Sequence, residues 1–182
     1  MKNIIAFAGS NSLTSINKQL VTYTAAFLKE VEVTILDLND FSIPIYSIDI
    51  ENNDGIPQQA ERFLNTIQNA DGLLISLAEH NGNFTAVFKN LYDWMSRIDK
   101  NIWKNIPMLL MSTSPGGGGA SSVMSIAKQG FPHMGGDVVA DFSLPNFYDN
   151  FKSNELINTE LKETLLNTVV VFENALKPKI NG

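Results

Sequence analysis

The chain contains no cysteine, which excludes disulfide scaffolding, thiol catalysis and thiolate metal sites, so any redox chemistry must reside in a cofactor. Arginine is nearly absent too, with Arg62 and Arg97 the only ones, and the 13 basic residues form no run. With a net charge of -6, nonspecific binding to nucleic acid, whose phosphates need cationic partners, is disfavoured. No apolar stretch approaches the length that spans a bilayer, so no membrane partner is expected. The apolar start is interrupted at Ser10 and Asn11, too early for a signal-peptide core, and a cytoplasmic location is the expectation. Repeats, low-complexity tracts and Pro- or Ser-rich linkers are also missing. At 182 residues, 44% hydrophobic and 18% charged, residues 1–182 are expected to form a single globular domain.

Short apolar runs alternate with longer segments of helical period, the signature of β-α units. Residues 3–8 form a nearly continuous apolar run that ends at Gly9, and Ile16, Leu20, Tyr23 and Phe27 then recur at helical spacing. Val31, Val33 and Ile35 alternate with Glu32 and Thr34, as in a strand covered on one face at a sheet edge. The runs 72–77 and 107–111 are apolar throughout, as expected of strands buried between two helical layers. Residues 137–142 supply a fifth strand. Helical patterns fill 57–69, 85–97 and 121–130, and a last one runs over 154–176, closed by Pro178. Parallel neighbours need crossover connections, so the expected fold is α/β, a three-layer, flavodoxin-like, doubly wound parallel sheet of five strands in the order 2-1-3-4-5. In such a sheet ligands lie beyond the carboxyl ends of the strands, where the winding reverses, which singles out loops 9–17, 78–85 and 112–120.

Loop 9–17 places Ser10, Ser12, Thr14, Ser15 and Asn17 in one turn leading into a helix. Hydroxyls, an amide and a helix amino end together suit a dianion such as a phosphate. The same residues also fit an ordinary loop in which Ser15 caps the helix. Neither Gly-x-x-x-x-Gly-Lys-Ser/Thr nor Gly-x-Gly-x-x-Gly occurs. The run from Gly116 through Gly119 after a central strand would let backbone approach a flat ligand closely. Residues 78–94 read Ala-Glu-His-Asn-Gly-Asn-Phe-Thr-Ala-Val-Phe-Lys-Asn-Leu-Tyr-Asp-Trp.

Together these segments resemble the NADPH-dependent FMN reductase family, a flavodoxin-like group that includes chromate, azo-dye and quinone reductases. Its members open with Gly-Ser-x-Arg-x-x-Ser-x-Asn and carry Pro-Glu-Tyr-Asn-Gly-Ser-x-Pro-x-x-Leu-Lys-Asn-x-x-Asp-Trp midway. Glu79, Asn81, Gly82, Lys89, Asn90, Asp93 and Trp94 match in register, and Ser112, Ser114, Pro115, Gly116 and Gly119 echo a later Ser-x-Ser-Pro-Gly-x-x-Gly-Gly. The resemblance implies a bound FMN with NADPH or NADH as co-substrate. It implies that Ser10, Ser12, Ser15, Ile16 and Asn17 hold the phosphate. Ala78, Glu79, His80, Asn81, Gly82 and Asn83 would line the flavin edge, with the Gly82 N–H toward N5, and Ser114, Pro115, Gly116 and Gly117 would border the far side. No side-chain nucleophile or resident metal is required, because the flavin carries the chemistry. Hydride would pass through FMN to a small acceptor, namely a quinone, azo compound, flavin or metal oxyanion.

Several positions depart from the family pattern. Ser12 stands where the family has Arg, His80 where it has Tyr, Asn83 where it has Ser, and Ala78 and Thr85 where it has Pro. No arginine fork for a 2′-phosphate is evident, so NADH and NADPH both stay open. His80 fits either a solvated surface group or a partner beside a substrate. On the helix 85–97, Val87, Leu91, Trp94 and Ile98 cover one face while Phe88, Tyr92 and Met95 widen it. That surplus fits burial beneath loop 101–105 or a subunit interface, and the family's frequent dimerisation implies a homodimer or homotetramer through this helix. Two other classes share the fold: a flavodoxin-type FMN electron carrier, whose Thr/Ser-x-Thr-Gly-x-Thr loop is absent here, and a non-enzymatic regulatory protein.

Overall fold

Apolar continuity of the first, third and fourth predicted strands demands cover on both faces, and the computed structural model, which describes residues 1–177, supplies it. In chain order the principal elements are β1 (Lys2–Ala8), α1 (Ile16–Ala25), β2 (Val31–Leu36), α2 (Ile48–Asp54), α3 (Gln58–Gln68) and β3 (Gly72–Leu77). There follow β4 (Glu79–His80), β5 (Asn83–Phe84), α4 (Ala86–Ile98), β6 (Pro107–Thr113), α5 (Ser121–Gly130) and β7 (Asp137–Leu144). The described part closes with α6 (Phe147–Asn150), β8 (Phe151–Lys152), β9 (Glu155–Leu156) and α7 (Thr159–Ala175). The main sheet runs β2-β1-β3-β6-β7 with every pairing parallel, which is the expected 2-1-3-4-5 order.

Side-chain alternation divides the core into two layers. Ile5 and Phe7 of β1, Leu73 and Ile75 of β3, and Met108 and Leu110 of β6 join Phe63, Leu91, Trp94 and Phe131 on the face covered by α3, α4 and α5. Ile4, Ala6, Leu74 and Leu109 face the opposite layer with Leu20 of α1 and Leu165 and Phe172 of α7. At the edge, β2 keeps only half-covered and exposed positions, and Ile35 is 39% exposed. Among the described residues no helix is long and apolar enough to cross a membrane.

The last helix starts later than its periodicity suggests. Ser153 and Asn154 take positive φ at the tip of the β8–β9 hairpin, so the helix waits for Asn158, whose side chain caps the Leu161 N–H at 3.1 Å. The expected stop at Pro178 lies outside the described residues.

The surplus apolar surface of α4 has an internal explanation. Phe88, Leu91, Trp94 and Met95 are fully buried, and Tyr92 stacks 5.8 Å from Trp103 in the loop that follows. On the other flank, a strap formed by residues 41–57 crosses the helix. The Asn90 side chain accepts from the Tyr46 N–H at 2.8 Å and donates to the Pro44 carbonyl at 2.9 Å, while the Trp94 indole donates to that carbonyl at 2.8 Å. Tyr46 meets Trp94 edge to face, and Arg97 closes the strap on Glu51 at 2.9 Å, holding that carboxyl below its ordinary range. The apolar surplus that suggests a subunit interface is therefore consumed within the chain, and only Ile98, 37% exposed, remains of it as an exposed large side chain.

Loss of the strap's anchors is measurable. Asn90→Ala removes two hydrogen bonds and is expected to lower unfolding stability in urea by about 2 kcal/mol, whereas Lys89→Ala, which breaks an exposed ion pair with Asp93, costs less than about 0.5 kcal/mol.

Candidate functional site

Beyond the carboxyl ends of β1, β3 and β6 a cluster of buried polar side chains replaces the apolar core. Asn17, 2% exposed, is central to it. Its carbonyl oxygen accepts from the Ser76 hydroxyl at 2.8 Å and the Thr113 N–H at 3.1 Å, and its amide donates to the Thr113 carbonyl at 3.2 Å. The head of α1 is thereby joined to the ends of β3 and β6. Ser15 caps α1 by accepting from the Lys18 N–H at 3.2 Å, so the capping reading holds. The N–H groups of Ile16 and Asn17 still head the helix without intrahelical partners, as the first groups of any α-helix do.

Loop 9–15 is held from both sides. Gly9 donates its N–H to the Ser76 carbonyl at 2.8 Å, and its own carbonyl accepts from the hydroxyl of Thr85 at 2.8 Å. Thr85, 2% exposed, also caps α4 through the Phe88 N–H at 3.3 Å. Asn39 reaches across from the end of β2 to the Asn11 carbonyl at 3.2 Å. Lys18, in the first turn of α1, is drawn to Asp37, and that contact together with the Asn39 N–H holds the Asp37 carboxyl below the usual range.

The second loop is a preformed hairpin rather than an irregular connection. β4 and β5 pair antiparallel, and Asn81 (φ 52°) and Gly82 (φ 75°) form the two-residue turn for which Asn-Gly is favoured. Phe84 fixes the hairpin to the core by stacking on Phe131 at 6.0 Å. Glu79 faces away from the turn: its carboxylate accepts from the Val123 N–H at 2.9 Å, capping α5, whose own N-cap residue Ala120 offers no side-chain acceptor. The third loop is tied to the segment after β7, since the N–H groups of Asn146 and Phe147 donate to the carbonyls of Gly116 and Ser114, each at 3.0 Å. Gly119 (φ 57°) offers its carbonyl to the hydroxyls of Ser112 and Ser143, and an added Cβ there would meet Ser143 Oγ at 2.4 Å.

Loops one and two enclose a cleft of about 230 Å³ lined by Ser10, Ser12, Thr14, Ser15, Ile16, Asn17, Ala78 and His80, with Tyr148 completing the wall. All five candidates of the first loop thus come together with Ala78 and His80. Asn81, Gly82 and Asn83 stand at the hairpin tip beyond the cleft wall, and Glu79 turns to α5. Ser114, Pro115, Gly116 and Gly117 lie on the rim formed with residues 146–147 rather than in the cleft. A groove of about 680 Å³ runs along α3 beside Asn3, at the amino end of β1, and lacks such a gathering of helix-head and loop donors. Sequence reading missed Thr85 and Tyr148. Thr85 carried a signal, since a threonine just before a helical pattern is a favoured cap. Tyr148 carried none, because the bonds from residues 146–147 to the third loop bring it in.

A doubly wound parallel sheet whose ligand cleft opens at the reversal between β1 and β3, with a hydroxyl-rich turn before α1, defines the flavodoxin-like class of α/β proteins. Residues 2–149 match the NADPH-dependent FMN reductase family, and the chain belongs to it. An NADPH:quinone oxidoreductase of Arabidopsis thaliana is 30% identical over 70% of this chain and 65% of its own length. A probable NADPH:quinone oxidoreductase of Oryza sativa is 28% identical over 89% of this chain and 82% of its own. Among solved structures, the flavoenzyme NAD(P)H:(acceptor) oxidoreductase FerB of Paracoccus denitrificans superposes with a TM-score of 0.76 at 23% identity, covering 97% of both chains, which supports the fold.

Thr85 gives the site a direct test. Thr85→Val removes the bond to Gly9 and the α4 cap and is expected to cost about 2 kcal/mol in urea unfolding, whereas Thr85→Ser, which keeps the hydroxyl, costs less than about 1 kcal/mol.

Proposed function

We propose that this chain is an NAD(P)H-dependent, FMN-containing oxidoreductase that passes hydride through bound FMN to a small acceptor, with quinones favoured over azo compounds, free flavins and metal oxyanions. The observation that carries the reading is the donor set of the cleft. Four hydroxyls, from Ser10, Ser12, Thr14 and Ser15, surround the head of α1, and no carboxylate lines the wall. Such a set fits a phosphate ester, for which helix-head N–H groups and hydroxyls are the natural partners. The names of the Arabidopsis and rice relatives support the preference for quinones.

In this reading Ser10, Ser12, Ser15, Ile16 and Asn17 hold the FMN phosphate, Asn17 through its backbone N–H and its remaining amide hydrogen. The Asn81-Gly82 turn, with both residues at positive φ, offers backbone donors to the ring edge. The glycine-rich rim of Ser114, Pro115, Gly116 and Gly117 accepts a flat ring without side-chain obstruction, since a Cβ at Gly116 would meet nothing within 4 Å. When bound, FMN supplies the hydride acceptance and delivery; the chain supplies binding, orientation and backbone donors that favour negative charge on the ring. Glu79 shapes the site from behind rather than acting as an acid or base, because its carboxylate is committed to α5. A cytoplasmic location, where reduced nicotinamides are available, accords with this chemistry. Self-association through the helix 85–97 is a separate proposal; with its apolar face buried, it would have to use outward groups such as Lys89 and Asp93.

The test is optical. Purified protein incubated with FMN and desalted is expected to stay yellow, to bleach on anaerobic addition of NADH or NADPH, and to recover its colour when a benzoquinone is added. Retained flavin that neither nucleotide bleaches would favour the electron-carrier reading, and no retained flavin would refute the assignment.

A further inference from the structure

A phosphate dianion in this cleft is held more tightly when a cationic side chain meets it, and both arginines and Lys18 are engaged elsewhere. Arg62 donates to the Asp40 carbonyl at 2.7 Å and lies 4.5 Å over the Phe41 ring. Arg97 pairs with Glu51, and Lys18, nearest in sequence to the cleft, pairs with Asp37. Position 12, where the resemblance leads one to expect an arginine, is serine. Among the described residues that line the cleft, only His80 has a side chain that can carry a positive charge. It is exposed, and the β4–β5 hairpin pins its backbone opposite Asn83.

We propose that His80 is the counter-charge for the FMN phosphate and sets the preference of this site for FMN over riboflavin. The inference rests on the FMN reading above and deepens it. A hydrogen bond from an imidazolium to a phosphate oxygen is about twice as strong as one between neutral groups. The groups around His80 leave this role to it. Glu79 precedes it on the strand and points to the opposite face, where the Val123 N–H of α5 takes its carboxylate. From α6, the Tyr148 phenol shares the cleft wall and the exposed Asp149 follows it. From α1 and the end of β2 the nearest charges are the mutually paired Lys18 and Asp37.

Flavin fluorescence titrations of the full chain with FMN and with riboflavin at low salt test the proposal with His80→Gln and His80→Arg. His80→Gln is expected to weaken FMN about tenfold and to leave riboflavin unchanged, whereas His80→Arg, which keeps a cationic donor at this position, should keep the preference for FMN. Equal FMN affinity of parent and His80→Gln would overturn the proposal. So would parallel losses of FMN and riboflavin, which would mark His80 as a structural part of the loop. A parent protein that binds neither flavin would overturn the cofactor reading itself, an outcome distinct from the other two.

Discussion

The buried carboxamide of Asn17 joins the head of α1 to the carboxyl ends of β3 and β6. One oxygen takes the Ser76 hydroxyl and the Thr113 N–H, while the nitrogen returns a bond to the Thr113 carbonyl, so the side chain stands beside β6 as a further peptide group would. These groups lie in a nearly water-free layer, since Ser76 is 0% and Thr113 2% exposed. Unpaired, each would cost about 1–3 kcal/mol. This pairing, together with the packing of Leu20 and Val21 against Leu74 and Leu109, sets the head of α1 over β3 and β6. With α1 placed, its free N–H groups and the serines before it face the cleft, and Thr85 secures the loop from the other side by holding Gly9.

The family motif in the middle of the chain therefore does two different jobs. Asn81 and Gly82 make the hairpin turn beside the cleft, where backbone conformation matters more than side chain. Asn90 and Trp94, a few turns down α4, bind the strap at Pro44 and Tyr46 and have no part in the cleft lining. Glu79 lies between the two roles: as a cap for α5 supplied from another loop, it ties the β4–β5 hairpin to the helix that follows the glycine-rich loop. A substitution within this motif can thus damage binding, folding or both.

Sheet order and the location of the cleft were legible in the sequence because burial leaves a direct mark on strands. The alternation in β2 and the unbroken apolar runs of β3 and β6 are the pattern of an edge and a centre. Elements of two residues, such as β4, β5, β8 and β9, are too short to show any period, although Asn81-Gly82 is a recognisable turn pair. The strap of residues 41–57 was invisible because its stability comes from long-range bonds to α4 rather than from local propensity. The surplus apolar residues of α4 suggested a partner for the same reason: the segments that cover them, around Trp103, Phe131 and Tyr46, have no regular period of their own. Of the candidate site, the first loop was readable residue by residue from its hydroxyls, whereas Tyr148 depends wholly on the tertiary fold.

Asn17 organises the site through bonds within the chain, independently of any ligand. Urea unfolding of flavin-free Asn17→Ala measures this directly, because removing the carboxamide strands the Ser76 hydroxyl and both main-chain groups of Thr113. A loss of about 3 kcal/mol or more relative to the parent is the predicted result. Flavin-free stability within about 0.5 kcal/mol of the parent would contradict it and reduce Asn17 to a ligand contact.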